Sequence, residues 1–285
     1  MKGIFYRFLI SLSQRIGMWF FVVIAWSISS GYFFFFPNRV KISTSFYKAL
    51  FPSRSFLYHL WCTWKQYHSF IYVYLDRWLL KNGDAINYTH EGWEYIEEVV
   101  HNKTGGLILM SHIGNWEIAA YLMSRQSENN PKIKLLLYLG AKRNEQIERI
   151  QKEDLVQSGV KIITAEENKG SPFDILEGIQ FLKDGGFISI AGDRLWSKEQ
   201  RTVSVQFLGH EVVLPETPFI FALLSHAPIL IFFANRLGKG KYHCVIYPPK
   251  HVVASSRNDR QGAIKKVAQE YANIVEEVVL RYPYE

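Results

Sequence analysis

The sequence predicts an α/β fold: a mostly parallel central sheet flanked by helices, preceded by an N-terminal hydrophobic helix. Two patterns and one bulk property support this. From about residue 84, short apolar runs alternate with longer helical stretches, as in a parallel sheet covered on both faces. Residues 16–36 form a run without a charged side chain. The chain has 285 residues, 48% of them hydrophobic, enough for a substantial core.

In chain order, "IGMWFFVVIAWSISSGYFFFF" (16–36) is long enough to cross about 30 Å of hydrocarbon as a helix at about 1.5 Å per residue. Its length, its aromatic content and its end in "FFFFPNR" differ from a cleaved signal peptide, so an uncleaved anchor is expected, with an interfacial or buried helix as the alternative. Lys2, Arg7 and Arg15 precede it and Arg39, Lys41, Lys48 and Arg54 follow it, a slight lean toward a cytoplasmic body. Residues 46–80 repeat large apolar side chains every three or four positions, which predicts one or two amphipathic helices with a break near Pro52. The expected organisation is an anchor over 1–45, membrane-proximal helices over 46–83 and an α/β domain over 84–285.

Within that domain the candidate strands are 107–111 (LILMS), 133–139 (IKLLLYL), 160–165 (VKIITA), 186–191 (GFISIA), 228–234 (PILIFFA) and 242–247 (YHCVIY). Each is a short apolar run of the kind a buried strand requires. Candidate helices fall at 92–101, 115–126, 144–157, 173–184, 217–225 and 259–280. The last strands are candidates for antiparallel pairing. No internal repeat or low-complexity segment interrupts the series.

The net charge of +7, with a sequence pI near 9.2, points to anionic partners: anionic membrane lipid, an acidic carrier protein or nucleic acid. Aromatic residues are 15% of the chain and crowd beside Arg and Lys in the first 95 positions, which suits a membrane interface. A Lys/Arg run and an RNA-binding aromatic motif are both absent, so nucleic acid is not expected. Cys62 and Cys244 have neither metal spacing nor a disulfide framework and read as two buried thiols. The remaining histidines lack a second ligand, and no metal is expected. "GKGK" (238–241) reads as a hairpin turn, because no helix follows it as a phosphate loop would require.

"GGLILMSH" reads as a glycine turn, a buried strand and a histidine at the strand's carboxyl end, the edge where open α/β sheets bind ligands. His112 and Glu117 are five apart, about 140° round a helix, so they meet only if His112 and Gly114 lie in a loop and Glu117 in the first helical turn. Asn115 is a suitable N-cap for a helix starting at Trp116. Glu117 would then fix one imidazole nitrogen while the other accepts a proton from a hydroxyl. The competing reading is structural: His112 ends a strand and Glu117 complements the helix N-terminus. A serine hydrolase would use the same edge, but the sequence has no Gly-x-Ser-x-Gly elbow.

"SHIGNWE" resembles the His-x4-Asp/Glu motif of the lysophospholipid acyltransferase superfamily, and in its Gly-Asn-Trp interior the bacterial branch of lipid A lauroyl and myristoyl transferases. "GAKRNEQIERI" resembles the segment with that branch's Arg-Asn pair, and "AGDRLW" its Asp-Gln or Asp-Arg motif. "VSVQFLGHEVVLPETPFIFALLSHAPIL" and the final "RYPYE" also fall in the family's order. The resemblance implies acyl transfer from a thioester on acyl carrier protein or coenzyme A, a co-substrate with no other cofactor, to a hydroxyl of a membrane lipid, most specifically a lipid A precursor. It implies His112 as general base with Glu117 as its partner, and Asn115, Arg143, Asn144, Asp193 and Arg194 as substrate-binding positions. Arg143 and Arg194 would hold phosphates or the phosphopantetheine arm, and Asp193 would position Arg194 or a water. It implies an inner-membrane location with the catalytic domain on the cytoplasmic side. Transfer to another phospho- or aminolipid and a non-catalytic membrane scaffold are the alternatives.

Overall fold

The computed structural model describes residues 18–81, 86–115, 118, 134–140, 161–165, 172–195 and 199–285. The chain forms two compact units, one of Met1–Asn87, Arg236–Tyr242 and Glu277–Glu285, the other of Tyr88–Asn235 and His243–Glu276.

The first unit contains helices α1 (Met18–Phe35), α2 (Pro37–Leu50) and α3 (Phe56–Lys81). Of the uncharged run 16–36, Met18–Phe35 form the single helix α1. The residue before a proline is pushed out of helical geometry, and Phe36 has φ −121° and ψ 63° while Pro37 starts the next helix. α1 and α2 are bent by 91° at this corner, and no single described helix is long and apolar enough to cross a membrane. The amphipathic stretch expected over 46–80 is divided between α2 and α3, with the break at residues 51–55 around Pro52. α2 buries Val40, Thr44, Tyr47 and Leu50, spaced three or four apart, and Thr44 Oγ1 meets Thr63 Oγ1 of α3 at 3.2 Å. Between α1 and α3 the His68 ring lies 4.0 Å from Trp26 and 4.1 Å from Trp64 by centroids, with Nδ1 on the Trp64 carbonyl at 2.7 Å. His59 is likewise buried, its Nε2 on the Phe51 carbonyl.

The second unit holds most of a seven-stranded sheet ordered β1-β9-β8-β2-β5-β3-β4. The strands are β1 (Asn87–Glu91), β2 (Gly106–Met110), β3 (Leu135–Gly140), β4 (Lys161–Ala165), β5 (Phe187–Ala191), β8 (Ile229–Gly238) and β9 (Lys241–Ile246); β6 (Thr202–Phe207) and β7 (His210–Pro215) pair separately. The five strands β4, β3, β5, β2 and β8 are all parallel. A two-residue connection turns β9 back antiparallel to β8. Along β1, Asn87 meets Gly240 and Thr89 meets His243, so that strand runs with β9. Helices α4 (Trp93–Asn102), α5 (Pro172–Lys183), α6 (Thr217–Ser225) and α7 (Arg260–Arg281) follow the predicted positions to within a residue or two. The helix expected over 144–157 lies outside the described residues, as does that over 115–126 except at its N-cap, Asn115, and at Ile118. Cys62 and Cys244 are free and buried. "GKGK" forms the β8–β9 turn, with Gly240 buried.

Candidate active site

β2 is buried at every position and lies between β8 and β5. Its parallel register with β5 pairs Met110 with Ala191. Two residues further along each strand stand His112 and Asp193, so the same register that builds the sheet brings them together at its carboxyl edge. The His112 backbone N–H donates to Asp193 Oδ2 at 2.6 Å, and Nδ1 lies 2.8 Å from Oδ1. A carboxylate only accepts, so Nδ1 carries a hydrogen, and in the neutral ring Nε2 then keeps its lone pair. The His112 side chain is 45% exposed and that of Asp193 22%. The ring is thus held from the protein side and presented to the outside.

The surrounding chain fixes both residues. Gly192 N–H donates to the Met110 carbonyl at 2.9 Å, bridging the two strand ends. A Cβ on Gly192 would meet Leu109 Cδ1 at 2.8 Å and the Tyr271 ring at 2.9 Å, so only glycine fits between the strand and α7. The Tyr271 hydroxyl donates to the same Met110 carbonyl at 3.0 Å. Burial, with the Asp193 charge nearby, pushes that phenol well above its usual pKa and keeps it a donor. After His112 the chain turns: Ile113 N–H donates to Ser111 Oγ at 3.1 Å, and Gly114 has φ 75°. Asn115 N–H then donates to the Ala234 carbonyl of β8 at 2.9 Å, while its Oδ1 accepts from Ile118 N–H at 3.4 Å. That second bond is the N-cap geometry the sequence suggests.

Of the residues singled out in the sequence, His112, Asp193 and Asn115 therefore meet at one edge, with Arg194 half-buried beside Asp193. Asn115 is buried and caps the helix. Glu117, Arg143 and Asn144 lie outside the described residues. Sequence reasoning missed the bond between Asp193 and His112: the two are 81 positions apart, and only strand register connects them. It also missed Tyr271, a tyrosine inside an ordinary amphipathic helix. Among the described residues no group of three His, Cys, Asp or Glu side chains could hold a metal ion. Chemically, the site offers a proton acceptor, a carboxylate fixing its tautomer and a neighbouring guanidinium.

Comparison with curated proteins returns no match. The family model described as bacterial lipid A biosynthesis acyltransferase matches residues 71–285, about three quarters of the chain, and that span contains the His112 edge. The chain belongs to the bacterial lipid A biosynthesis acyltransferase family.

Proposed function

We propose that the protein transfers a fatty acyl chain from a thioester, carried on acyl carrier protein or coenzyme A, to a hydroxyl of a lipid A precursor at the inner membrane, with its catalytic domain on the cytoplasmic side. The observation that carries the reading is the His112–Asp193 clamp, which fixes the imidazole tautomer and leaves Nε2 available. Nε2 takes the proton of the acceptor hydroxyl as its oxygen attacks the thioester carbonyl. The tetrahedral oxyanion then collapses, the carbon–sulfur bond breaks, and the imidazolium returns the proton to the departing thiolate. The products are an ester and a free thiol, and no acyl-enzyme forms. Arg194, next to Asp193, is assigned to an anionic group of either substrate, since a guanidinium offers paired planar donors. Arg143, Asn144 and Asn115 are assigned to the same binding region. Glu117 is assigned the second carboxylate of the site, favouring the imidazolium through its charge while Asp193 acts through its bond. The family supports acyl transfer to a lipid acceptor in general; the donor, the acceptor hydroxyl and these roles are the proposal.

The test is His112→Ala, purified and shown to be folded, assayed for transfer from acyl carrier protein and from coenzyme A to a lipid A precursor. Loss of turnover by about 100-fold or more is expected for removal of a general base. Turnover at the wild-type rate would overturn the mechanism. An active wild type that acylates only a phospholipid or aminolipid would replace the acceptor.

A further inference from the structure

We infer that Glu216 is a specificity-determining residue whose carboxylate accepts hydrogen bonds from neutral sugar hydroxyls of the lipid acceptor, other than the hydroxyl that is acylated. This deepens the acyl-transfer reading, on which it rests for a sugar-based acceptor.

The topology brings Glu216 to the reacting edge. β5 and β8 both run parallel to β2, so the chain between them must cross from the carboxyl edge of the sheet back to the amino edge. α6 makes that return: only residues 226–228 separate its last residue from Ile229, where β8 begins. Its N-terminus therefore points to the carboxyl edge, where His112 and Asp193 stand. Packing ties the two regions together. One turn into α6 the Phe219 ring meets the Tyr271 ring, with 6.5 Å between centroids. Tyr271 in turn holds the Met110 carbonyl and lies against Gly192, the residues that lead into His112 and Asp193.

The backbone of Glu216 is fixed, yet its side chain is unused. Its N–H donates to the Arg201 carbonyl at 3.0 Å, and its carbonyl accepts from Phe219 N–H at 3.1 Å and Ile220 N–H at 3.0 Å. An acidic side chain at a helix start commonly folds back onto the first-turn amides. Here Pro218 has no N–H and those of Phe219 and Ile220 are taken, so no such cap forms. Glu216 is only 5% exposed, and its carboxylate has no hydrogen bond or ion pair among the described residues. A glutamate buried this far is as a rule paired, so a bare one is set for a group that arrives from outside. Its oxygens are not sealed in: among the described residues the buried side-chain atoms without a partner are Gln66 Oε1 and Asn235 Oδ1.

The chemistry of the position selects the ligand. A carboxylate only accepts, and its two oxygens suit two neighbouring donors. The positive end of α6 disfavours a cationic ligand, and the charge of Glu216 itself disfavours phosphate. Neutral hydroxyls remain, and a sugar headgroup carries them side by side. The thioester arm also has neutral donors, so the two substrates are read separately in the test.

The test compares full-length wild type and Glu216→Gln by their separate KM values for a lipid A precursor and for the acyl thioester. The lipid KM should rise by about 10- to 100-fold, the worth of a hydrogen bond to a charged group. The thioester KM and kcat should change little, as for an interaction made equally in ground and transition states. Acceptors that each lack one sugar hydroxyl then locate the partner: against one of them wild type and variant should share the same lipid KM. Glu216→Asp, which keeps the charge on a shorter stem, should recover part of the lost affinity, and urea unfolding shows whether each variant is folded. An unchanged lipid KM, a rise confined to the thioester KM, or a loss confined to kcat would overturn the proposal and leave acyl transfer standing. Failure of both variants to fold would make Glu216 structural and overturn it as well. A wild type that acylates no sugar-based lipid would overturn both the proposal and the acceptor on which it rests.

Discussion

Both carboxylate oxygens of Asp193 are committed to His112, one to its backbone and one to its ring. An amide cannot replace this clamp, because it has only one accepting atom. In Asp193→Asn the oxygen can keep the backbone bond, but Nδ2 then donates to Nδ1 and selects the tautomer with the hydrogen on Nε2, which removes the proton acceptor from the substrate side. We expect kcat to fall by about 10²- to 10⁴-fold with the KM for the acceptor little changed, since the loss falls on a proton-transfer step. Steady-state kinetics of the folded variant checks this, and a fall confined to KM would instead make Asp193 a binding residue. Half of this site was legible in the sequence. A buried run ending in Ser-His with Gly-Asn after it announces a strand, a turn and an N-cap, all of which depend on neighbouring residues. The pairing with Asp193 depends on which strand lies beside β2, and linear spacing carries no record of that.

The same division between local and non-local signals separates the elements that could be read from those that could not. The buried strands β2 and β5 are apolar throughout and are readable to within a residue. β1, "NYTHE", has no apolar run, and its extended form follows from pairing with β9. The β6–β7 hairpin hides its turn: Leu208 and Gly209 have φ 52° and 75°, and leucine is an unusual choice for a left-handed position. The corner after α1 is marked by Pro37, which stands at the end of the uncharged run, and the run itself is one helix over Met18–Phe35. α3 shows the strongest non-local tie. Its Asp76 is fully buried and accepts from Arg236 Nε at 2.6 Å, Tyr242 Oη at 2.7 Å and Gly240 N at 3.1 Å. Replacing Asp76 by Ala leaves the Arg236 guanidinium without this partner, and we expect a loss of about 3–5 kcal/mol in urea unfolding. Adding Arg236→Met should restore much of that loss, because the penalty comes from an uncompensated charge. A double variant no more stable than the single would place the cost in packing.

Across the whole chain, the first unit is assembled from three separated segments, and its closure is sensitive to pH. Glu285 brings the last of those segments to the β8 end, where both of its carboxylate oxygens accept from Arg236 N–H, at 2.9 and 3.0 Å. Burial raises its pKa from 4.5 to about 7; the Arg236 hydrogen bond and charge oppose the rise, and the Asp76 charge adds to it. The folded chain therefore holds this proton more tightly than the unfolded one does. The resulting stability is fully present below about 4.5 and is lost as pH rises through about 7. Glu285→Gln keeps a neutral side chain of the same size and removes the titration. Urea midpoints of wild type and variant should run together near pH 4.5 and diverge toward pH 8, with wild type the less stable at the higher end. Other groups titrate in both proteins and cancel from the difference. A constant gap across that range would mean that Glu285 meets solvent in solution, and that the tail does not seal the first unit as the Arg236 contact requires.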